Sequence, residues 1–257
     1  MVSAIEDSRF VRRIEELTSA SDLAWFIALN VGLGFTLVAA YPFAFTESGK
    51  FWAYAGLFIR AGIYLTSGER LRGRGGETLF RLFTLGIVAG TCELLIDWGL
   101  IHWVSHGRLI YTSGNDVVLL GSPVWMPLAW ACVIVELGYP ALRLFSIFRK
   151  RMAPMAATVI ASVITAVGAG VTVGFYEYFA YRAQWWRYEP ADVMIGKFCA
   201  LYIPLGEFFM FLPIIPIAAG ALSDDERPMT SSIRGGVLFA VAIALGYGLA
   251  YFLLEGW

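Results

Sequence analysis

Residues 153–180 read APMAATVIASVITAVGAGVTVGFYEYFA, and no charged side chain appears among them before Glu177. A stretch of that kind constrains the fold more than any motif does. About 20 apolar residues cross the hydrocarbon core of a bilayer, and in lipid the backbone must satisfy its own polar groups, as a helix does. Similar runs lie near 22–45, 51–66, 78–104, 122–147, 193–221 and 232–254. Together they predict an all-α, polytopic bundle of seven transmembrane helices forming one domain over residues 22–257. Residues 1–21 are mixed in charge and lack the apolar core of a signal peptide. Phe10, Ile14 and Leu17 fall there at helical spacing, which predicts a short helix lying in the membrane interface. Pro42, Pro140, Pro204, Pro213 and Pro216 sit in or near the ends of the runs, where neighbouring helices can re-satisfy the freed backbone groups.

Composition agrees, with 58% hydrophobic and 15% charged residues, against about 45–50% and about 25% in soluble domains. A net charge of −1 offers no footprint for nucleic acid. Cys92, Cys132 and Cys199 all lie inside apolar runs and read as small hydrophobes. With only His102 and His106 in the chain, a histidine-rich metal site is excluded. If seven helices alternate, one side carries Arg9, Arg12, Arg13, Arg70, Arg72, Arg74, Arg149, Lys150, Arg151 and Arg227. The other side carries Lys50, Arg108, Arg182 and Arg187. That asymmetry places the N-terminus in the cytoplasm of a multi-pass cell-membrane protein. Loops 105–121 and 181–192 then lie outside, and Tyr181, Trp185, Trp186 and Tyr188 read as an aromatic belt.

The charges left inside the runs are costly, about 2.5–3.5 kcal/mol each for Asp, Lys or Arg at mid-membrane, so they should face a cavity and pair. They are Arg60, Glu93, Asp97, Glu136, Glu177, Lys197 and Glu207. Glu93 and Asp97 stand four residues apart and share one helical face. Gly86 and Gly90 continue that face and allow a neighbouring helix to come close. His102 falls on another face, near water. At about 1.5 Å per residue, Asp97 should lie roughly 10 Å below the outer helix end, Glu93 roughly 16 Å, Glu207 roughly 20 Å and Lys197 roughly 6 Å. Two bases against more acids leave some carboxyls without a cation, unless Arg60 or Lys197 pairs with Asp97 or Glu207. Two carboxyls on one face do not readily both ionise. A carboxylic acid kept protonated in an apolar cavity is a strong general acid. It suits an alkene or epoxide, whose cation the rings of Trp98, Trp103, Phe175, Tyr176, Tyr178, Phe208 and Phe209 would stabilise.

Two segments carry a resemblance. YIPLGEFFMF at 202–211 resembles the signature of the small membrane-bound lycopene cyclases, a Pro-x-Glu-Glu/Asp element followed by paired phenylalanines. Pro204, Glu207, Phe208 and Phe209 match in kind, while Gly206 stands where that family has its first acid. The segment from Glu93 through GRLIYTSGNDVVLLGSPVWMPLAWA is similar to the carotenoid hydratases through Gly107, Tyr111, Pro123, Pro127, Leu128, Ala129 and Trp130. It lacks their Gly-Pro-Phe-Gly core. Size and helix count also resemble the seven-helix meroterpenoid terpene cyclases.

The resemblance implies a hydrophobic isoprenoid substrate, acid-initiated cyclisation of lyase or isomerase type, and no redox cofactor or metal-diphosphate chemistry. Asp97, Glu207 and Glu93 are then the candidate catalytic acids. Trp98, Trp103, Tyr111, Phe175, Tyr176, Glu177, Tyr178, Lys197 and Phe208 are the candidate substrate contacts. Asp224, Asp225 and Glu226 read as solvated loop charge rather than a metal-binding acidic motif. A hydratase, with water capturing the cation, is the near alternative, and a proton-coupled transporter is the alternative outside enzymes. A retinal photoreceptor is disfavoured because residues 232–254 contain no lysine.

Overall fold

Polar caps and prolines set where each apolar run begins and ends. The computed structural model describes residues 8–72, 75–112 and 116–256. Residues 1–7 of the N-terminal segment, Arg74 of the charge count, residues 113–115 of the outer loop and Trp257 lie outside them. Nine α-helices stand among the described residues: α1 (Ser8–Glu15), α2 (Ser19–Ala40), α3 (Glu47–Arg70), α4 (Gly76–His102), α5 (Met126–Arg149), α6 (Pro154–Ala183), α7 (Tyr202–Phe211), α8 (Ile214–Leu222) and α9 (Pro228–Glu255). Thr18 caps α2 by accepting from the Ser21 amide at 3.4 Å, and Thr46 caps α3 by accepting from Gly49 at 3.2 Å. Pro154 and Pro228 open α6 and α9, where a missing N–H costs nothing.

Five helices (α2, α4, α5, α6 and α9) are long and apolar enough to cross a bilayer, and six if the bent pair α7–α8 is one span. The chain is an all-α bundle of membrane type. Helix α3 carries Arg60 and is less apolar; Tyr54 toward its first half bonds Asp116, and Gly68 near its end lies against Phe80 of α4. The sixth run departs from expectation. Residues 194–200 form a small hairpin, β5 (Met194–Ile195) with β6 (Cys199–Ala200), and the helix starts only at Tyr202. Pro213 then separates α7 from α8, which are bent by 44°.

Helix α4 is central, packing on α3, α5 and α9. A Cβ at Gly86 would lie 2.5 Å from the Ala131 Cα, and one at Gly90 2.6 Å from the Trp130 Cβ. The small residues therefore do bring α5 against this face, as expected. Two further strand pairs close one end: β1 (Leu109–Tyr111) pairs antiparallel with β4 (Trp186–Tyr188), and β2 (Val118–Leu119) with β3 (Ser122–Pro123). The β1–β4 ladder puts both predicted outer loops at the same end of the bundle.

At the opposite end α1 packs on α5 and α8. Phe10 and Ile14 are fully or almost fully buried, with the Phe10 ring 5.6 Å from that of Phe145. The expected helix forms, but its apolar face covers the bundle rather than lying in lipid. Asp225 is likewise not merely solvated. It accepts from Arg13 at 3.0 Å and from Arg81 at 3.3 Å, while Glu77 accepts from the same two arginines at 2.8 and 2.7 Å.

Candidate functional site

Four acids meet beneath the β1–β4 ladder because their helices all end there. Glu93 and Asp97 come from α4, Glu177 from the last turns of α6, and Glu207 from the first turns of α7. Counted from those helix ends, Asp97, Glu177 and Glu207 lie roughly 8–9 Å down and Glu93 roughly 14 Å. The late start of α7 corrects the depth of Glu207 and brings it level with the others. All four side chains are buried and line one cavity of about 180 Å³.

Their donors come mostly from the loops. Tyr111 on β1 donates to Asp97 Oδ2 at 2.5 Å, and Ser122 on β3 donates to the same oxygen at 2.9 Å. On β4, Trp186 Nε1 donates to Glu177 Oε2 at 2.8 Å and the Tyr188 hydroxyl to Oε1 at 3.2 Å. Tyr247 of α9 donates to Glu207 Oε1 at 2.8 Å. Glu93 lies beside Asp97 and Trp130. Two carboxyl oxygens, Glu93 Oε2 and Glu207 Oε2, are buried with no hydrogen-bond partner among the described residues. Buried polar atoms are rarely left so.

Among the described residues, no cation pairs with these four. Arg60 instead pairs with Glu136, at 2.8 and 3.1 Å, and Tyr64 and Tyr176 donate to the same carboxylate at 3.2 and 3.4 Å. The expected pairing of Arg60 with Asp97 or Glu207 does not occur. Lys197 is not in a helix at all: it sits exposed in the β5–β6 turn. Lys50 lines the cavity mouth and pairs with Glu47 at 3.5 Å.

Of the expected substrate contacts, Tyr111, Tyr176 and Glu177 line the cavity. Trp98 and Trp103 do not: they meet edge to face with centroids 4.7 Å apart, and Trp103 is 75% exposed. Phe175 faces outward at 62% exposure. Tyr178 packs on Phe198, and Phe208 on Phe209. His102 is exposed, its Nδ1 bonding the Trp98 carbonyl at 2.8 Å, in keeping with an interfacial histidine. The rings that do face the acids include Trp130, Trp186, Tyr188 and Tyr247. Trp186 and Tyr188 were expected as a belt facing the membrane surface, and the β1–β4 pairing turns them inward. Trp130 stood in the hydratase-like segment. Tyr247, inside an apolar run, carried no signal.

No curated protein and no solved structure matches the chain. Residues 94–254, from the middle of α4 almost to the end of α9, match a single family. That segment covers more than half of the chain and includes Asp97, Glu177, Glu207 and Tyr247. The chain therefore belongs to the family described as Domain of unknown function (DUF6989).

Proposed function

We propose that the protein is an integral-membrane isoprenoid cyclase that protonates an alkene or epoxide with a buried carboxylic acid. One observation carries the reading: four carboxyls surround an aromatic cavity, and among the described residues none of them has a cationic partner, since Lys50 and Arg60 of the same lining pair with Glu47 and Glu136. Such a site suits an acid that donates a proton and π faces that receive a cation. A purely structural role would pair the acids, as Glu136 is paired.

The hydrogen bonds divide the roles. Asp97 Oδ2 accepts two, which suits a carboxylate. Glu207 Oε2 has no partner, which suits an O–H that points to substrate. In this reading Glu207 gives its proton to the alkene carbon or epoxide oxygen. The C–O bond or π bond breaks, and an internal alkene attacks the cation to close the ring. The last cation loses a proton to a carboxylate, Asp97 or Glu93, so substrate and product are isomers, and that proton returns to Glu207 before the next turnover. Trp130, Tyr111 and Tyr247 face the charge as it moves. Seven crossings, with α3 as one of them and the N-terminus in the cytoplasm, place this cavity toward the outer leaflet.

The test uses purified protein in nanodiscs, given linear prenyl epoxides of 15 and 20 carbons and an acyclic polyene, with chelator and no nucleotide. Products of unchanged mass support the cyclase, and products heavier by one water identify a hydratase. Glu207→Gln and Asp97→Asn should each lower turnover by about 10²–10⁴, the usual worth of general acid–base catalysis, with little change in melting temperature. Turnover that survives in both variants, or no product from any of these probes, sinks the reading.

A further inference from the structure

A second cavity, of about 220 Å³, lies behind the first. Trp25 and Leu29 of α2, Leu137 of α5 and Thr172 of α6 bound it, and it shares Val133, Val173 and Tyr176 with the carboxyl cavity. Its one charged group, Glu136, is already neutralised by Arg60. Trp25 Nε1 donates to the Glu136 carbonyl at 3.3 Å, which fixes that indole as a wall. Trp25, Leu29, Leu137 and Thr172 are only half-buried, and their helix neighbours Phe26 and Val171 are exposed on the bundle surface. The cavity thus stands between the acids and the lipid. At the neck, the Tyr176 hydroxyl lies 3.4 Å from both Glu136 Oε2 and Arg60 Nη1, so its ring is held in place.

We infer that this second cavity takes the unreacting hydrocarbon tail of the substrate, a linear apolar chain that enters from the bilayer between α2 and α6. The inference rests on the cyclase reading for the role of the other end, which reaches the acids past Tyr176. Size supports it. The carboxyl cavity alone falls below the about 300–1,000 Å³ usual for organic ligands, and the two cavities together fall within that range. Chemistry supports it as well, because an apolar tunnel with one neutralised charge rewards hydrocarbon and little else. Tail contacts also hold the reacting bond against the acid, which raises rate through positioning.

The experiment measures binding of linear prenyl alcohols of 10, 15 and 20 carbons to the full chain in nanodiscs, against empty nanodiscs to remove partitioning. Affinity in the wild type should rise at least about tenfold from the shortest to the longest, a modest share of what buried methylenes can give. Thr172→Trp and Leu29→Trp fill the second cavity; each should remove that gain and leave the 10-carbon alcohol unchanged within about twofold. Asp97→Asn should keep it. Should the tryptophan variants misfold, a 20-carbon alcohol with a diazirine at its tail should label α2, α5 or α6 of the wild type at residues 25–29, 133–137 or 172–176. A flat length series, a gain that survives both tryptophans, or labelling elsewhere overturns the inference. A bilayer acyl chain resident in the cavity would give the flat series. The two readings fail separately: a length-dependent gain with no turnover removes the cyclase, and acid-dependent turnover with a flat series removes the tail site.

Discussion

Gly206 decides where the Tyr247 ring stands. A Cβ at that position would fall inside van der Waals distance of the Tyr247 ring, so glycine here makes room for a phenol. That phenol then donates to Glu207. Gly206→Ala should push the ring away, destabilise the protein by about 1–3 kcal/mol through overpacking, and lower turnover by weakening the hold on Glu207. Tyr247→Phe keeps the ring and removes only the hydrogen bond, so its melting temperature should fall less. Melting curves of both variants beside activity check this, and a Gly206→Ala protein as stable and active as wild type would refute it. At this scale the sequence was partly legible. Glu93, Asp97 and Glu207 stood out because a charge in an apolar run is costly. Tyr247 and Trp130 did not, because aromatics are ordinary in membrane helices and only packing shows which way each ring points.

Among the elements, α1 is held by charge at one face and by apolar burial at the other. Burial pulls the Asp225 carboxyl upward, but the hydrogen bond and charge of Arg13 outweigh it and hold the group below the usual carboxylate range. A carboxyl depressed in the folded state contributes stability above its unfolded pKa of about 3.9, and that contribution is lost as pH falls through the folded value. Docking of α1 should therefore be unaffected near neutrality and loosen only below about pH 4. Spin labels at Glu16 and Glu226 should report a short, narrow distance at pH 7 that broadens in acid, and Asp225→Asn should broaden it already at pH 7. A distance unchanged by either treatment removes the clasp. Helix positions were readable from hydropathy to within a few residues. The start of α7 was not: MIGKFCA is apolar enough to extend a helix, and Gly196, with φ +58°, instead turns it into a hairpin.

For the whole molecule, the two ends are built differently. One carries the α1 clasp and most of the Lys and Arg; the other carries the strand pairs and the mouth of the carboxyl cavity. A reporter fused between α3 and α4, within residues 71–75, should read as cytoplasmic and one fused after residue 257 as outside. A C-terminus that reads as cytoplasmic would contradict seven crossings and the outer placement of the cavity. Hydropathy made the bundle legible, since it is a property of runs. The meeting of Asp97 with Tyr111, or of Glu177 with Trp186, depends on two loops far apart in sequence finding each other, which no local pattern encodes. The positions of acids and donors along the chain also set an order of events during synthesis. Tyr111 and Ser122 follow Glu93 and Asp97 in the chain. Glu177 follows before Trp186 and Tyr188, and Glu207 precedes Tyr247. Each donor thus leaves the ribosome after its acid, and Glu207 gains its partner only when the last helix, α9, is in place.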